Sequence, residues 1–242
     1  LGADVEYLQN GHIRVCFRDR PENVGKMEEY AAQAREEGLD LELLSGNMLR
    51  ERFPWLGADV LAGSHSALDG HANPRLAAPA FARAAMKLGA QVVEDTKIVH
   101  AAKIGEDFVL EAEDGRRFRA PTLLVTAGAW AGKIVCQFGE PVNLTPRAPT
   151  MSVTEPVPYA ILPAVGVMTP DEVETVYFRQ VARGNIVLGG STRAPSYPDE
   201  YRAYVMPQNT MTQFQHLRRL APALAKLQVI RVWSGIEGYT DD

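Results

Sequence analysis

Apolar positions along the chain follow two periods, and the period switches several times. "HIRVCF", 12–17, alternates after the turn residues Asn10-Gly11 and predicts a strand. Residues 21–38 then change to a helical period, with Val24, Met27, Ala31 and Ala34 on one face. Pro21 suits the first turn of that helix and Gly38 suits its end. "LDLELL" reads as a short strand, Ser45 as the cap of a short helix ending before Pro54, and "VLAGSHSA" as another strand. In "NPRLAAPAFARAAMKLGA", Asn73 is the predicted cap and Pro74 the first helical residue, with Leu76, Phe81, Ala84 and Leu88 as the apolar face. Pro79 lacks an N–H and predicts a kink or a later helix start.

"QVVEDTKIVHAAKI", "DFVLEAE" and "RRFRAPTLLVT" read as three strands, the last two joined by a hairpin at Asp114-Gly115. The apolar run Leu123 to Val125 drives into Thr126-Ala127-Gly128 and Trp130, which predicts a buried strand feeding a helix over 129–138. Residues 141–205 show strand patterns in "VNLTPRAPTMSVTEP", "TVYFRQV" and "NIVLGGST", separated by Pro-rich loops. A helix follows in "NTMTQFQHLRRLAPAL", with Met211, Phe214, Leu217 and Leu220 on one face, and "LQVIRVWSGIEGY" closes as a strand and Gly turn. Sheet-rich stretches and separate helices make the fold class α+β.

Composition narrows the function classes. The 242 residues carry a net charge of −5, which offers no general attraction to nucleic acid. No apolar run approaches the roughly 20 residues of a membrane helix. Cys16 and Cys136 sit in apolar segments and read as buried free thiols, which points to a reducing, cytoplasmic setting. No Cys/His spacing suggests a metal site. G-x-G-x-x-G, P-loop and G-x-S-x-G patterns are all absent. The chain opens at Leu1 without Met and stops at Asp241-Asp242 just after a strand and turn, which predicts a fragment of a longer protein.

Four segments hold residues that could carry chemistry. At Ala127-Gly128 a strand end meets a helix start, where small side chains and free N–H groups admit an anion, although on this local pattern alone Gly128 is better read as easing helix–strand packing. "DGHANP" places His71, able to titrate near neutrality, in a loop that could also be only a cap. "VYFRQ" puts Tyr177 and Arg179 on one face of a strand, and Arg179 could clamp a carboxylate or simply face solvent. "VWSGIEGYTDD" combines Gly235, Glu237 and Thr240 at a strand end, where the glycines allow close approach.

Taken together, "ALDGHANPRLAAPAFARAAMKLGAQVVEDTKI", "APTLLVTAGAWAGKI", "VYFRQVARGNIVLGGST" and "IRVWSGIEGYTDD" resemble, in order and spacing, the FAD-dependent amine and D-amino-acid oxidoreductases. The family includes the sarcosine oxidase beta-type subunits, and the "DGHANP" loop most resembles the branch with opine oxidase, hydrogen cyanide synthase and hydroxyproline dehydrogenase beta-type subunits. The resemblance implies the middle of a two-domain flavoprotein with a mixed, mostly antiparallel sheet. Residues 1–65 and 139–232 would form the substrate domain, 66–138 part of the FAD domain, and 233–242 the start of a flavin-contacting segment. It implies FAD contacts at Ile98, Ala127, Gly128, Trp130, Gly235, Thr240 and Asp241, and substrate contacts at Tyr177, Arg179, Glu237 and His71. Glu237 departs from the pattern, because glycine-oxidase-like members carry a carboxylate-binding arginine there. The implied reaction oxidises the C–N bond of an amino acid or secondary amine by hydride transfer to flavin, with no catalytic side-chain base and no metal. Partner subunits of a heteromeric dehydrogenase would take the electrons in the opine-oxidase-like branch. The rival expectation is a non-catalytic binding or assembly subunit. Without the Gly-rich start, residues 1–242 alone should hold FAD weakly.

Overall fold

An eight-stranded sheet organises the chain, seen in a computed structural model that describes residues 2–171 and 173–240. In chain order the elements are β1 (His12–Phe17), α1 (Glu22–Glu36), β2 (Glu42–Ser45), α2 (Gly46–Arg52), β3 (Val60–Ser66) and α3 (Pro74–Lys87). A meander follows, of β4 (Ile98–Ile104), β5 (Asp107–Ala112) and β6 (Arg117–Ala120). A 3-10 turn (Gly128–Trp130), α4 (Ala131–Val135) and a second 3-10 turn (Cys136–Phe138) lead into β7 (Thr145–Ala148), β8 (Thr150–Pro156), β9 (Ala164–Val167), β10 (Val176–Gln180) and β11 (Asn185–Gly190). Then come β12 (Ala194–Tyr197), β13 (Arg202–Ala203), α5 (Pro207–Leu220), β14 (Val229–Ser234) and β15 (Glu237–Tyr239).

The large sheet runs β14-β8-β11-β10-β9-β1-β3-β2, antiparallel except where β1 lies parallel to β9. A second sheet runs β13-β12-β7-β15, and β4-β5-β6 stands alone. This is the expected α+β class with a mostly antiparallel sheet. Alternation along the strands sends Ile13, Val15, Phe17, Val165, Val176, Phe178, Ile186 and Leu188 to one face. There they meet Leu49 of α2 and Leu217 and Leu220 of α5 in a continuous core. The predicted caps are in place: Ser45 Oγ accepts from Met48 N–H at 3.3 Å, and Asn73 Oδ1 accepts from Arg75 N–H at 3.1 Å.

On the other face, α1 covers only the β1–β3–β2 end. Its Val24, Met27 and Glu28 line a groove with Leu43, Ser45 and Ala62. The β9–β10–β11–β8–β14 end carries no helix on that face, and Tyr177 there is 42% exposed.

Several local readings need correction. α3 starts at Pro74 and runs through Pro79. The bond lost there would have reached the carbonyl of Arg75, in an exposed first turn where water can replace it. The apolar face of α3 is not packed: Ala80 is its one buried residue, Phe81 is exposed, and Leu88 is 89% exposed. Neither 91–97 nor 121–127 joins a ladder, so the strand expected over "TLLVT" is unpaired extended chain with Leu124 82% exposed. An apolar run becomes a strand only when a neighbouring strand takes up its N–H and C=O groups. In place of one helix over 129–138, α4 spans a single turn or so between two 3-10 turns. On α5 the buried face is Asn209, Gln213, Leu217 and Leu220, with Met211 exposed. Cys16 is fully buried, and burial raises its thiol to about 11. Cys136 is exposed, contrary to expectation, because it starts the solvent-facing 3-10 turn after α4.

Candidate functional site

The uncovered half of the large sheet is where the predicted substrate residues gather. Alternation in β10 sends Phe178 and Gln180 inward and leaves Tyr177 and Arg179 on the open face. The register sets a row of residues across that face: Arg14, Gly166, Tyr177, Gly189, Met151 and Trp233. The Tyr177 hydroxyl donates to Met151 Sδ at 3.5 Å. The ring crosses directly over Gly189, where a Cβ would stand 2.6 Å from the ring carbon that bears the hydroxyl. Only glycine admits the ring there.

The C-terminal segment closes one side of this face. β15 pairs with β7, which sets Glu237 opposite Arg147. The Glu237 carboxylate accepts a hydrogen bond from the Tyr239 hydroxyl. The Arg193 guanidinium lies 4.3 Å from the centre of the Tyr239 ring. Burial, reinforced by the bond to Glu237 and its charge, pushes the Tyr239 hydroxyl up to about 12. Burial also raises Tyr177, with Glu237 adding to the shift and Arg193 opposing it. Tyr177 and Glu237 therefore share one electrostatic neighbourhood, although they are far apart in sequence.

β15 also meets the small-residue turn. A Cβ on Gly238 would lie 3.0 Å from Ala129 Cα, so backbone packs on backbone. The segment of Gly235 and Thr240 is thereby brought against the turn of Ala127 and Gly128. Thr240 is the last described residue, and Asp241 lies outside the described residues. Gly128 has φ +53, and a Cβ on it or on Gly235 would meet nothing within 4 Å. The first N–H groups of this turn have no acceptor within it. An open backbone edge of this kind fits the close approach of a large anionic cofactor such as FAD.

His71 and Arg179 form a second cluster beside the first. The loop is pinned by mutual backbone bonds of 2.9 Å between Leu8 and His71. His71 Nε2 lies 3.3 Å from Asn10 Nδ2, and Asn10 also donates to the Leu162 carbonyl. Arg179 Nη1 donates to the Ala72 carbonyl at 3.0 Å, leaving its other donors for a ligand. Burial, with Arg179 adding to it, lowers the His71 pKa, so the ring is neutral at neutral pH. Burial likewise lowers Arg179, against the opposing charge of Glu6.

Two predicted contacts stand apart. Ile98 opens β4 opposite Ala112 in the meander. The Trp130 indole donates to the Pro198 carbonyl at 3.1 Å, and its ring stacks on Tyr201 with centroids 5.8 Å apart. That ring fastens the turn to the segment after β12. The sequence reading missed Met151 and Arg193, and placed Tyr239 in the C-terminal candidate segment without giving it a role. Met151 was visible only as one position of an alternating strand, and Arg193 only by following Gly189-Gly190. No group of acidic, His and Cys side chains suited to a metal occurs among the described residues. No helix among them is long and apolar enough to cross a membrane.

Comparison with known proteins agrees with this architecture. Residues 1–242 match the family described as FAD dependent oxidoreductase. The chain is 24% identical to glycine oxidase of Geobacillus kaustophilus (strain HTA426), over 100% of this chain and 61% of that protein. It is 25% identical to a subunit of the opine oxidase of Rhizobium meliloti, over 100% of this chain and 62% of that protein. Its fold superposes on the crystal structure of L-proline dehydrogenase from P. horikoshii with a TM-score of 0.86 and 22% identity, covering 98% of this chain and 62% of that one. The chain thus spans about three fifths of the length of the curated relatives it matches.

Proposed function

The chain belongs to the FAD-dependent oxidoreductase family, and on that premise we propose that the protein it represents oxidises the C–N bond of an amino acid or secondary amine. The observation that carries this reading is the meeting of two segments. The turn of Ala127 and Gly128 and the strand end of Gly235 to Thr240 pack together at the border of the sheet face that bears Tyr177 and Glu237. The division into parts has support as well. Strands within 12–66 and 150–234 build the large sheet together, overrunning the expected bounds by one residue at 66 and two at 233–234, whereas α3, the separate meander and the turn fall within 66–138. The unpaired apolar chain at 121–127 and the uncovered face of α3 are what an FAD-binding half would cover.

FAD, when bound, supplies a hydride acceptor for the carbon beside the amine. The chain's own residues bind and orient. Tyr177 stays protonated through the physiological range, so its hydroxyl is a fixed donor and acceptor at the floor of the site. Glu237 stands where glycine-oxidase-like members hold an arginine, and a carboxylate there repels a substrate carboxylate while favouring a cationic amine. The carboxylate then falls to other cations on the face, of which Arg179 keeps free donors. No side-chain base is assigned to the step. Ile98, Trp130, Thr240 and Asp241 remain in the proposal as cofactor-side residues, and His71 as a neighbour of the substrate. Partner subunits and a cytoplasmic setting go with the reading, the latter supported by the unpaired Cys16 and Cys136.

The test is an anaerobic titration of the whole flavoprotein with N-methylglycine, D-amino acids, hydroxyprolines and opines. Bleaching of the flavin band by one of them is the expected result. A bound flavin that no amine reduces overturns the substrate class. A protein that binds no flavin is instead a non-catalytic binding subunit.

A further inference from the structure

The row that places Tyr177 on the open face has a cation at its other end. Arg14 pairs with Gly166, and Gly166 pairs with Tyr177. Two strand spacings put the Arg14 and Tyr177 backbones about 10 Å apart. Gly166 leaves the ground between them bare: a Cβ there would touch only His12 and Tyr177, each at 3.7 Å.

Beyond Arg14 this trough opens into a groove of about 230 Å³ between α1 and the chain leaving β9, lined by Arg14, Asn23, Lys26 and Val167 to Pro170. Its charges are unbalanced. Among the described residues neither Arg14 nor Lys26 has a carboxylate within ion-pair distance. The Arg14 guanidinium lies 5.8 Å from the centre of the Tyr30 ring and within electrostatic range of His12. On the chain leaving β9, Asp171 accepts from the Val173 N–H at 2.9 Å, and Glu174 is held by Arg20 Nη2 at 2.8 Å and by the Thr169 hydroxyl at 3.3 Å. Asn23 is 2% exposed, and its Oδ1 has no hydrogen-bond partner. Only the Nδ2 end of this amide can donate to a carboxylate, and half a turn about the last side-chain bond would bring that end to the position of the unpartnered oxygen.

We propose that this groove is a subsite for a second, remote carboxylate of the substrate, with Arg14 and Lys26 as its recognition groups and Asn23 at its floor. The proposal rests on the amine-oxidising reading above and sharpens it: the substrate is an amino acid or secondary amine with a carboxylate at each end. A planar guanidinium and an ammonium with no internal anion are suited to that group, and the bare strip over Gly166 lets an aliphatic linker lie flat.

The experiment is calorimetric titration of the whole protein, as purified, with adipate, hexanoate and inorganic phosphate. None of these has an amine, so no turnover is involved. Adipate is expected to bind at least about tenfold tighter than hexanoate, the advantage of one charge-assisted contact. Arg14→Gln and Lys26→Gln should each erase most of that preference, and Arg14→Lys should restore part of it. Equal binding of adipate and hexanoate overturns the proposal, as does a preference that survives both Gln substitutions. Phosphate binding in the groove without adipate binding overturns it too, and identifies an anion site unconnected with substrate. Because the preference is read without flavin reduction, failure of the amine reading would appear separately, in the bleaching titration.

Discussion

Gln180 ties the loop before β9 to the β10–β11 hairpin from the core side of the sheet, and replacing it with Ala has a calculable effect. Gln180 is 1% exposed at the inner end of β10. Its Oε1 accepts from the N–H groups of Ala160 and Ile161, both at 2.9 Å. Its Nε2 donates to the carbonyls of Val157, Pro158 and Gly184 at 3.2, 2.9 and 3.1 Å. One side chain thus fastens the loop before β9 to the β10–β11 hairpin. The bonds to Ile161 and Gly184 are fully buried, and the other three are partly open to water. After truncation the partly open groups rehydrate and lose about 0.5–1 kcal/mol each, whereas each buried orphan loses about 1–3 kcal/mol. The Gln180→Ala loss is therefore expected at about 4–9 kcal/mol before any cavity is counted, enough to unfold a marginal domain. Gln180→Glu should be equally severe at neutral pH, because a carboxylate would face the three carbonyls that Nε2 now satisfies. Urea unfolding followed by circular dichroism measures both. A Gln180→Ala loss below about 1 kcal/mol would mean that water already fills the position, and the clamp argument would be wrong.

Two further outcomes concern titration. Glu237→Gln removes the charge and weakens the acceptor at the Tyr239 hydroxyl, so its pKa should fall from about 12 toward the ordinary tyrosine value while burial keeps it above that value. Spectrophotometric titration of tyrosinate absorbance reads this, and an unchanged late-titrating tyrosine would assign the shift to burial alone. His12, His65, His71 and His216 are all lowered, each chiefly by burial. A depressed histidine contributes stability that is fully present above its unfolded value near 6.5 and is lost as pH falls through its folded value. Urea midpoints should accordingly drop steadily from about pH 6.5 downward, and a flat profile between about pH 6.5 and 5 would contradict the burial of these rings.

What could be read from sequence divides along a physical line. Elements fixed by their own residues were legible. β1 and β10 alternate, Ser45 and Asn73 cap the helices they precede, and Gly115 turns the hairpin with φ +85. Elements fixed by a partner were not. β9, with the sequence Ala-Val-Gly-Val, is short and carries no period, yet it is the parallel neighbour that brings β1 beside β10. β15 spans Glu237–Tyr239 and exists only because β7 pairs with it. The site inherits the same division. Tyr177 and Arg179 could be placed on one face from spacing alone, but the approach of Glu237 to Tyr177 needs the β7–β15 pairing, which no local pattern encodes.

The unpaired run over 121–127 shows the converse. Its apolar residues read as a buried strand, yet pattern specifies only what a segment would bury, and burial waits on a neighbour to supply the ladder and the cover. Leu88 on α3 and Leu124 in that run, both on the part assigned by proposal to the FAD side, stay open for this reason. The large sheet, whose strands find all their neighbours within residues 12–234, closes its own core without them. The two parts should therefore differ in how firmly they are held. The sheet bearing Tyr177 and Arg179 is set by its own packing, while the turn at Ala127 and Gly128 is held chiefly where Gly238 and Trp130 touch it. Cover over α3 and the 121–127 run would then act on the cofactor side of the site and leave the geometry of the substrate side unchanged.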